Sequence, residues 1–431
     1  MSNTLTLLKN TAKAIIAVSL SAVVLTGCKT TTTQRGPIAV GPGPGPTMNE
    51  PVKRVYSYNS DIYLDVAVPV FNPGFPLDSD TGQIDYDQVE ELGIWPQLRR
   101  AEAKRFAIQS KRYIEDTQAF GQVFNVPNAK TSADIFVMGT ILESNSRTIE
   151  LNILVIDSSG EILGDTEIEH EVSKGFFRDK KNEGKNPYEP VFQEVADYVY
   201  DVVRKIPDQR KDVIKTTTAV RYAKYYAPEA FGNYIETNLK TRYGRKYFKH
   251  ELTAVPAEND PVMEEIAVLR AKEMNFVDAM QEHFDAFEAT TEEPYRDWQE
   301  ETLPEVIRAE DAAVERNTKA TLGVLAGIAA VILDKNSDSN AGKVGAVAGA
   351  IGSAWMLKDA FEANADMKES AEIINEQGSG LDFVLSPTVM KAEDDEVKLT
   401  GTAEDQYEQW KAILKKMYDK DRRVQETGQT E

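Results

Sequence analysis

The side chains that most often carry out chemistry are rare in this sequence of 431 residues. It has one cysteine, Cys28, and three histidines, His170, His250 and His283. None of the histidines belongs to a metal-binding motif, and there is no Gly-x-Ser-x-Gly, no glycine-rich phosphate loop and no Cys-x-x-Cys. The sequence therefore predicts a non-enzymatic protein without a cofactor or a metal. Cys28 stands apart, because a thiol can also accept a lipid.

The first 27 residues have the three parts of a secretory signal peptide. Lys9 and Lys13 supply a positive start, Ala14–Val24 is an apolar run, and small residues precede Cys28. The apolar run is 11 residues long, whereas a membrane-spanning helix needs about 20. The pattern predicts a signal that is removed after export.

Four residues at the predicted cleavage point resemble the lipobox of bacterial lipoproteins: Leu25, Thr26, Gly27 and Cys28. In that family the chain is cut before the cysteine, whose thiol carries a diacylglycerol. Several acyl chains make such an anchor stable, while a single chain is marginal. Lys29 follows, where lipoproteins retained in the inner membrane carry aspartate. The resemblance therefore implies lipidation of Cys28 and location at the outer membrane, on its periplasmic face.

The charge of the chain is strongly negative. It is -21 for the whole sequence, and residues 1–27 contribute two lysines and no acid, so the mature chain carries -23. Such a charge disfavours binding to nucleic acid and broad adhesion to anionic membrane surfaces. We expect contact with the membrane through the lipid, and partners that are other envelope proteins.

Residues 28–57 are predicted to form a tether, because Gly and Pro alternate over 41–46 without hydrophobic periodicity. A flexible chain of this length reaches roughly 30 Å. Residues 58–206 follow as a first domain with strand periodicity over Ile62–Val70. Its predicted order is β-α-β-β-β-β-α, with a turn at Asp157–Gly160. We predict an α+β protein whose amino-terminal α/β domain has a mostly antiparallel sheet.

Residues 207–318 are predicted to be helical. Asp260 followed by Pro261 is a favourable helix start, and apolar residues then recur every three or four positions, interrupted by Glu273. Pro294 and Pro304 are expected to divide the remainder into shorter helices. Most of this pattern predicts core packing, and a coiled coil with a partner is the alternative.

Residues 319–360 contain two apolar runs separated by a polar turn. Glycines four apart allow close approach of two helices, which predicts a glycine-zipper hairpin. An arm of 14 residues rises about 20 Å, short of the roughly 30 Å membrane core. A buried hairpin or a contact in a homo-oligomer is therefore favoured over membrane insertion or ordinary core. The glycines are Gly323, Gly327, Gly345 and Gly349. Residues 361–431 are predicted to be a charged tail with one helix near Glu404–Lys420.

A basic, tyrosine-rich run lies between Arg210 and His250, with ten Lys or Arg, three acids and six Tyr. It suits an acidic glycan, a peptidoglycan carboxylate or an acidic partner. The favoured alternative is pairing inside the fold with the acidic stretch Glu288–Glu315. The candidate binding residues are Arg221, Lys224, Arg242, Arg245 and Lys246.

The first domain resembles the family that includes the curli-secretion lipoprotein CsgG and the amino-terminal domain of TolB. The strongest likeness is the strand Ala133–Ile141, which matches an Ala-Asp-hydrophobic-Gly-x-hydrophobic pattern, followed by the Asp157–Gly160 turn. The links at 143–147 and 175–187 are shorter and more charged than the long amphipathic hairpins of the curli channel. The resemblance implies a periplasmic protein-interaction domain that assists envelope machinery.

These observations predict a non-enzymatic outer-membrane lipoprotein that acts as a scaffold or accessory subunit of an envelope assembly or secretion system. Two alternatives stay open. One is an oligomeric transport or channel component that assembles through the hairpin at 319–360, and the other is a module that binds peptidoglycan or polysaccharide through the basic tyrosine run.

Overall fold

The computed structural model describes residues 54–130, 132–242, 245–317, 368–378, 387–392 and 395–428. The predicted signal peptide and lipobox with Cys28, nearly all of the tether, and the glycine-zipper hairpin at 319–360 lie outside the described residues. Among the described residues, no helix has the length and apolar character needed to cross a membrane.

Strands and helices alternate along the first half of the chain, and helices dominate the second. The strands are β1 (Val66–Pro69), β2 (Val123–Val126), β3 (Ile135–Ser144), β4 (Thr148–Asp157), β5 (Ile162–Glu171), β6 (Ile235–Arg242), β7 (Arg245–Leu252), β8 (Thr388–Ala392) and β9 (Asp395–Leu399). The helices are α1 (Tyr86–Glu91), α2 (Pro96–Asp116), α3 (Glu189–Val203), α4 (Asp208–Tyr226), α5 (Pro228–Phe231), α6 (Pro261–Asn317), α7 (Lys368–Gln377) and α8 (Ala403–Gly428).

The main sheet has five strands in the order β2-β1-β3-β4-β5. Strand β1 is parallel to both of its neighbours, whereas the β3–β4 and β4–β5 pairs are antiparallel. The predicted mixture of α and β structure is confirmed, but the sheet is mixed rather than mostly antiparallel. The reason is the crossover through α2, which returns the chain so that β2 runs in the same direction as β1.

The strand that carries the family resemblance has a physical reason for its pattern. Asp134 accepts hydrogen bonds from the backbone N–H of Asp65 at 3.0 Å and from Thr218 Oγ1 at 2.6 Å, which joins β3 to β1 and α4. Gly139 lies against the ring of Phe71, where a Cβ atom would come within 2.3 Å of the ring carbons. The aspartate therefore connects three elements, and the glycine makes room for a buried aromatic ring.

Two hydrophobic clusters fill the interior. The first joins the sheet to α2, α3, the second half of α6 and α7. The second joins β2 and the adjoining parts of β1 and β3 to α4, the first half of α6 and α8. Residues from the predicted segments 58–206, 207–318 and 361–431 thus share both clusters. The helix predicted near Glu404–Lys420 is confirmed by α8, which buries Tyr407 and Trp410 in the second cluster.

Helix α6 is continuous over 57 residues, so the prediction that Pro294 and Pro304 divide it is wrong. Each proline removes one backbone hydrogen bond. Tyr295 and Trp298, which follow the first proline, are both buried in the first cluster. Packing on both sides of the prolines therefore holds the helical path despite the lost hydrogen bonds.

Helices α2 and α6 meet through buried charged and polar groups. Arg105 donates to Thr291 Oγ1 at 3.0 Å and pairs with Glu292 at 2.6 Å. Glu288 accepts hydrogen bonds from Gln109 and Arg112. The expected pairing of the acidic stretch Glu288–Glu315 with the basic run at 210–250 is wrong, since these acids of α6 pair with α2.

The prediction of an all-helical segment at 207–318 is also wrong, because β6 and β7 form a two-stranded hairpin within it. Ile235, Thr237 and Leu239 alternate with polar residues, which is strand periodicity. Only two residues separate the strands, and the second is Gly244, which favours a tight hairpin turn.

Replacing Gly139 with alanine is expected to lower the free energy of unfolding by about 1–3 kcal/mol, because the new methyl group displaces the ring of Phe71. Urea denaturation measures the change. The matched control is Gly175→Ala, because a Cβ at Gly175 meets no atom within 4 Å and the φ angle is -109°. Equal stability of the two variants would contradict this role for Gly139.

Candidate interaction surface

The turn between β4 and β5 is the support on which the candidate surface is built. The backbone N–H of Gly160 donates to the Asp157 carbonyl at 2.8 Å, and Ser159 donates to Asp157 Oδ1 from its N–H and its hydroxyl. Gly160 has a φ angle of +77°, which glycine adopts at little cost. The turn predicted at Asp157–Gly160 is confirmed, and these hydrogen bonds give Ser159 a structural role.

Helix α4 binds this turn through two arginines. Arg210 forms an ion pair with Asp157 and donates to Ser159 Oγ at 2.9 Å. Arg221 donates to the Ser158 carbonyl at 2.7 Å. The first part of the basic run is therefore engaged inside the fold, although its acidic partner is the β4–β5 turn and not α6.

The β6–β7 hairpin is attached to the same turn. The backbone N–H of His250 donates to the Ser159 carbonyl at 2.8 Å, and Lys224 Nζ donates to the Ile235 carbonyl at 3.1 Å. The carbonyl oxygen of Phe248 lies 2.0 Å from the position that a Cβ of Gly160 would occupy. The hairpin can approach this closely only because residue 160 lacks a side chain.

His250 is neutral in this position. Partial burial is the largest cause that lowers its pKa, to about 4, and the positive charges of Arg221 and Lys224 lower it further. Its Nδ1 atom lies 3.0 Å from Thr237 Oγ1 on the opposite strand. His250 thus packs at the base of the hairpin. Across the described ranges, no group of three or more His, Cys, Asp or Glu side chains is placed to hold a metal.

The hairpin displays an apolar pair to solvent. Leu239 and Phe248 are direct partners across the two strands, so they lie on the same face of the hairpin. Their exposed fractions are 57% and 61%. The hairpin also carries five basic residues and two acids over 235–252. We call the residues of β6 and β7 the hairpin surface.

The predicted binding residues occupy different parts of this region. Lys224 donates to the Ile235 carbonyl at the base of the hairpin, whereas Arg221 donates to the Ser158 carbonyl in the turn that supports it. Arg242, Arg245 and Lys246 lie at its closed end, where Arg242 is the register partner of Arg245.

The three tyrosines of α4 do not form one exposed face. Tyr222 and Tyr226 are buried, and Tyr225 is 45% exposed. The binding residues predicted from the sequence were all basic, and no apolar residue was among them. Leu239 and Phe248 could have been found from the strand periodicity around Gly244.

No family model matches the chain, and neither a curated protein nor a solved structure matches it. The resemblance of the first domain to the curli-secretion and TolB family therefore stays a prediction.

Replacing Gly160 with alanine is expected to detach the hairpin from the turn. The new Cβ collides with the Phe248 carbonyl, in addition to the cost of about 1 kcal/mol for alanine at a positive φ angle. Hydrogen exchange at the His250 amide measures the detachment, and we expect its protection to fall at least tenfold.

The matched control is Gly184→Ala. Gly184 has the same φ angle of +77° but no atom within 4 Å of its added Cβ. This variant should lose some stability and keep the protection of the His250 amide. If Gly160→Ala also leaves that amide protected, the docking of the hairpin on the turn is contradicted.

Proposed function

We propose that this chain is a non-enzymatic lipoprotein of the outer membrane, anchored through Cys28 on the periplasmic side, that serves as a scaffold or accessory subunit of an envelope assembly or secretion system. In this proposal it binds an acidic partner protein through the hairpin surface. The resemblance of residues 58–206 to the curli-secretion and TolB family supports an interaction role of this kind.

The observation that carries the proposal is the exposed pair of Leu239 and Phe248 on a basic hairpin. Single exposed apolar residues are ordinary on protein surfaces. Here two of them lie opposite each other, and covering each one with a partner contributes about 1.5–3 kcal/mol. Such a pair can supply the apolar centre of an interface, with charged residues at its rim.

Charge complementarity argues for an acidic partner. The hairpin has a net charge of +3 from five basic and two acidic residues, within a chain of net charge -21. The rest of the chain therefore carries -24. Positive charge concentrated on a projecting element steers acidic partners towards it and disfavours basic ones.

The beginning of the described chain is consistent with a tether that joins the body at α3. Arg54 pairs with Asp201 at 2.6 Å, and the hydroxyl of Tyr56 donates to Asp197 at 2.9 Å. The last residues of the predicted tether, 54–57, are therefore attached to the body, and the prediction that the tether extends to residue 57 is wrong at this end. In the proposed arrangement, the lipid and tether supply the contact with the membrane and leave the hairpin surface free for a partner.

The anchor is tested by replacing Cys28 with alanine. The wild-type protein should sediment with outer membranes and incorporate a labelled fatty acid, since two or more acyl chains give stable anchoring. The Cys28→Ala variant should lose the label and leave the outer-membrane fraction. A variant that keeps both the label and the outer-membrane location would contradict lipidation at Cys28.

The interaction surface is tested by placing a photo-crosslinking amino acid at position 248 in the full-length protein in cells. We expect a discrete crosslinked product that contains an acidic envelope protein, identified by mass spectrometry. The same amino acid at Val268 is the control, because Val268 on α6 is 57% exposed but lies outside the hairpin.

Three outcomes would count against this partner. Equal crosslinking from both positions would indicate nonspecific contact. Crosslinks that form only between copies of this chain would show that the partner is a second copy and not an acidic envelope protein. Crosslinking to polysaccharide without protein would favour a glycan-binding module.

A further inference from the structure

A polar cavity of about 90 Å³ lies between α4, α6, α8 and the start of β3. It is large enough to contain several water molecules or one small ion. Lys130 and Tyr225 on its wall are exposed, so the cavity communicates with solvent beside them. The wall is formed by Lys130, Ser132, Ala133, Thr218, Arg221, Tyr222, Tyr225, Glu273, Tyr407 and Lys411.

Glu273, the residue that interrupts the apolar stripe of α6, lies in this wall and is 0% exposed. Its Oε1 accepts a hydrogen bond from the Tyr407 hydroxyl at 2.6 Å. Its Oε2 is buried and forms no hydrogen bond of good geometry with a described residue, although the Tyr222 hydroxyl lies near the carboxyl group. Ser132 Oγ in the same wall also forms none. Buried polar atoms without partners are uncommon in folded proteins, which points to a missing ligand or solvent.

Two cations in the wall form no close ion pair with a described carboxylate, although the charge of Asp157 acts on Arg221 and that of Lys411 acts on Glu273. Arg221 donates to the Ser158 carbonyl. Lys411 lies 4.3 Å from the ring centroid of Tyr225 and, within the described ranges, likewise forms no ion pair. Lys130 differs, because it pairs with Glu404 at 2.6 Å. The side chains of Arg221 and Lys411 are partly buried at the wall, so an anion in the cavity could accept charge-assisted hydrogen bonds from them.

The protonation of Glu273 decides whether an anion can enter. Burial is the largest cause that raises the pKa of its carboxyl group, and the hydroxyls of Tyr407 and Tyr222 partly offset it. Over the pH range between the usual value and the raised pKa, the carboxyl is neutral and can donate a hydrogen bond. The other charged or titratable groups around it are Arg221, Tyr222, Tyr225 and Tyr226 on α4, Tyr407 and Lys411 on α8, Arg270 on α6, and Lys130.

We propose that this cavity binds a small oxyanion between Arg221 and Lys411, with the carboxyl of Glu273 and the hydroxyl of Ser132 completing the site. The ligand is a sulfate-, phosphate- or carboxylate-type group. The two cations supply charge-assisted hydrogen bonds, and Glu273 donates to the anion as a neutral acid. This site is separate from the hairpin surface, although Arg221 contacts the turn that supports it.

The test is isothermal titration calorimetry of the full-length protein, purified in detergent, with sodium sulfate as the probe. Sodium chloride at equal ionic strength corrects for general salt effects. We expect saturable binding of one sulfate per chain to the wild type. Lys411→Gln should weaken it tenfold or more, because one charge-assisted contact is lost. Lys416→Gln is the matched control, since Lys416 is exposed on the same helix and outside the cavity wall.

The role of Glu273 is tested by the pH dependence of sulfate binding, because the charge of sulfate is constant from mildly acidic to alkaline pH. As the pH rises above the folded-state pKa of Glu273, the carboxylate becomes negative and repels the anion. We expect wild-type affinity to fall about tenfold for each further pH unit. Glu273→Gln keeps a neutral donor at every pH, so its affinity should stay nearly constant over the same range.

Each result decides for or against the site. Binding that Lys411→Gln weakens and Lys416→Gln does not, with a pH dependence that Glu273→Gln removes, supports it. The absence of saturable binding beyond the chloride control would overturn the proposal and leave a cavity filled with water. Equal weakening by both lysine variants would overturn it too, since it would indicate nonspecific attraction of sulfate to the lysines of α8.

Discussion

The pairing of buried charges between α2 and α6 is the constraint on which the arrangement of the two clusters depends. Arg105 is buried on α2 and has its hydrogen-bonding partners, Thr291 and Glu292, on α6. Glu102 is fully buried and accepts a hydrogen bond from Tyr295, also on α6. Because Arg105 and Glu102 are themselves buried, loss of a hydrogen-bonding partner would leave a buried polar group unsatisfied, at a cost of about 1–3 kcal/mol. The two helices therefore have one strongly preferred alignment.

This alignment places α6 against both hydrophobic clusters. Its first half packs with α4 and α8, and its second half packs with the sheet, α2 and α3. It also brings Gln281 to the free edge of β2, where the side-chain amide accepts from the Asn125 N–H at 2.8 Å and donates to the Asn125 carbonyl at 3.0 Å. These two hydrogen bonds satisfy backbone groups at the edge of the sheet that would otherwise be open to pairing with another strand. Glu273, which lies on the same helix, forms part of the wall of the polar cavity.

Several elements could be predicted from the sequence because they bury alternate residues. Strand β4 (Thr148–Asp157) shows strict alternation of burial, which is the pattern from which a strand can be predicted. The hairpin of β6 and β7 was missed because it has few apolar residues, so its charge and tyrosine content dominated the pattern. The continuity of α6 could not be predicted, since it depends on packing from distant segments around Pro294 and Pro304. Arg221 was identified from its charge. The cavity beside it could not be predicted, because its wall combines residues of α4, α6 and α8, which are distant in the sequence.

In the proposed function, the exposed apolar pair of the hairpin serves a partner and not the fold. The most direct measurement compares a Leu239→Ser, Phe248→Ser double variant with the wild type in both urea denaturation and co-purification from envelope extracts. We expect the double variant to have an unfolding free energy within about 0.5 kcal/mol of the wild type, as for exposed positions, and to lose the acidic partner. A loss of several kcal/mol of stability, or a partner retained at wild-type level, would contradict this role of the pair.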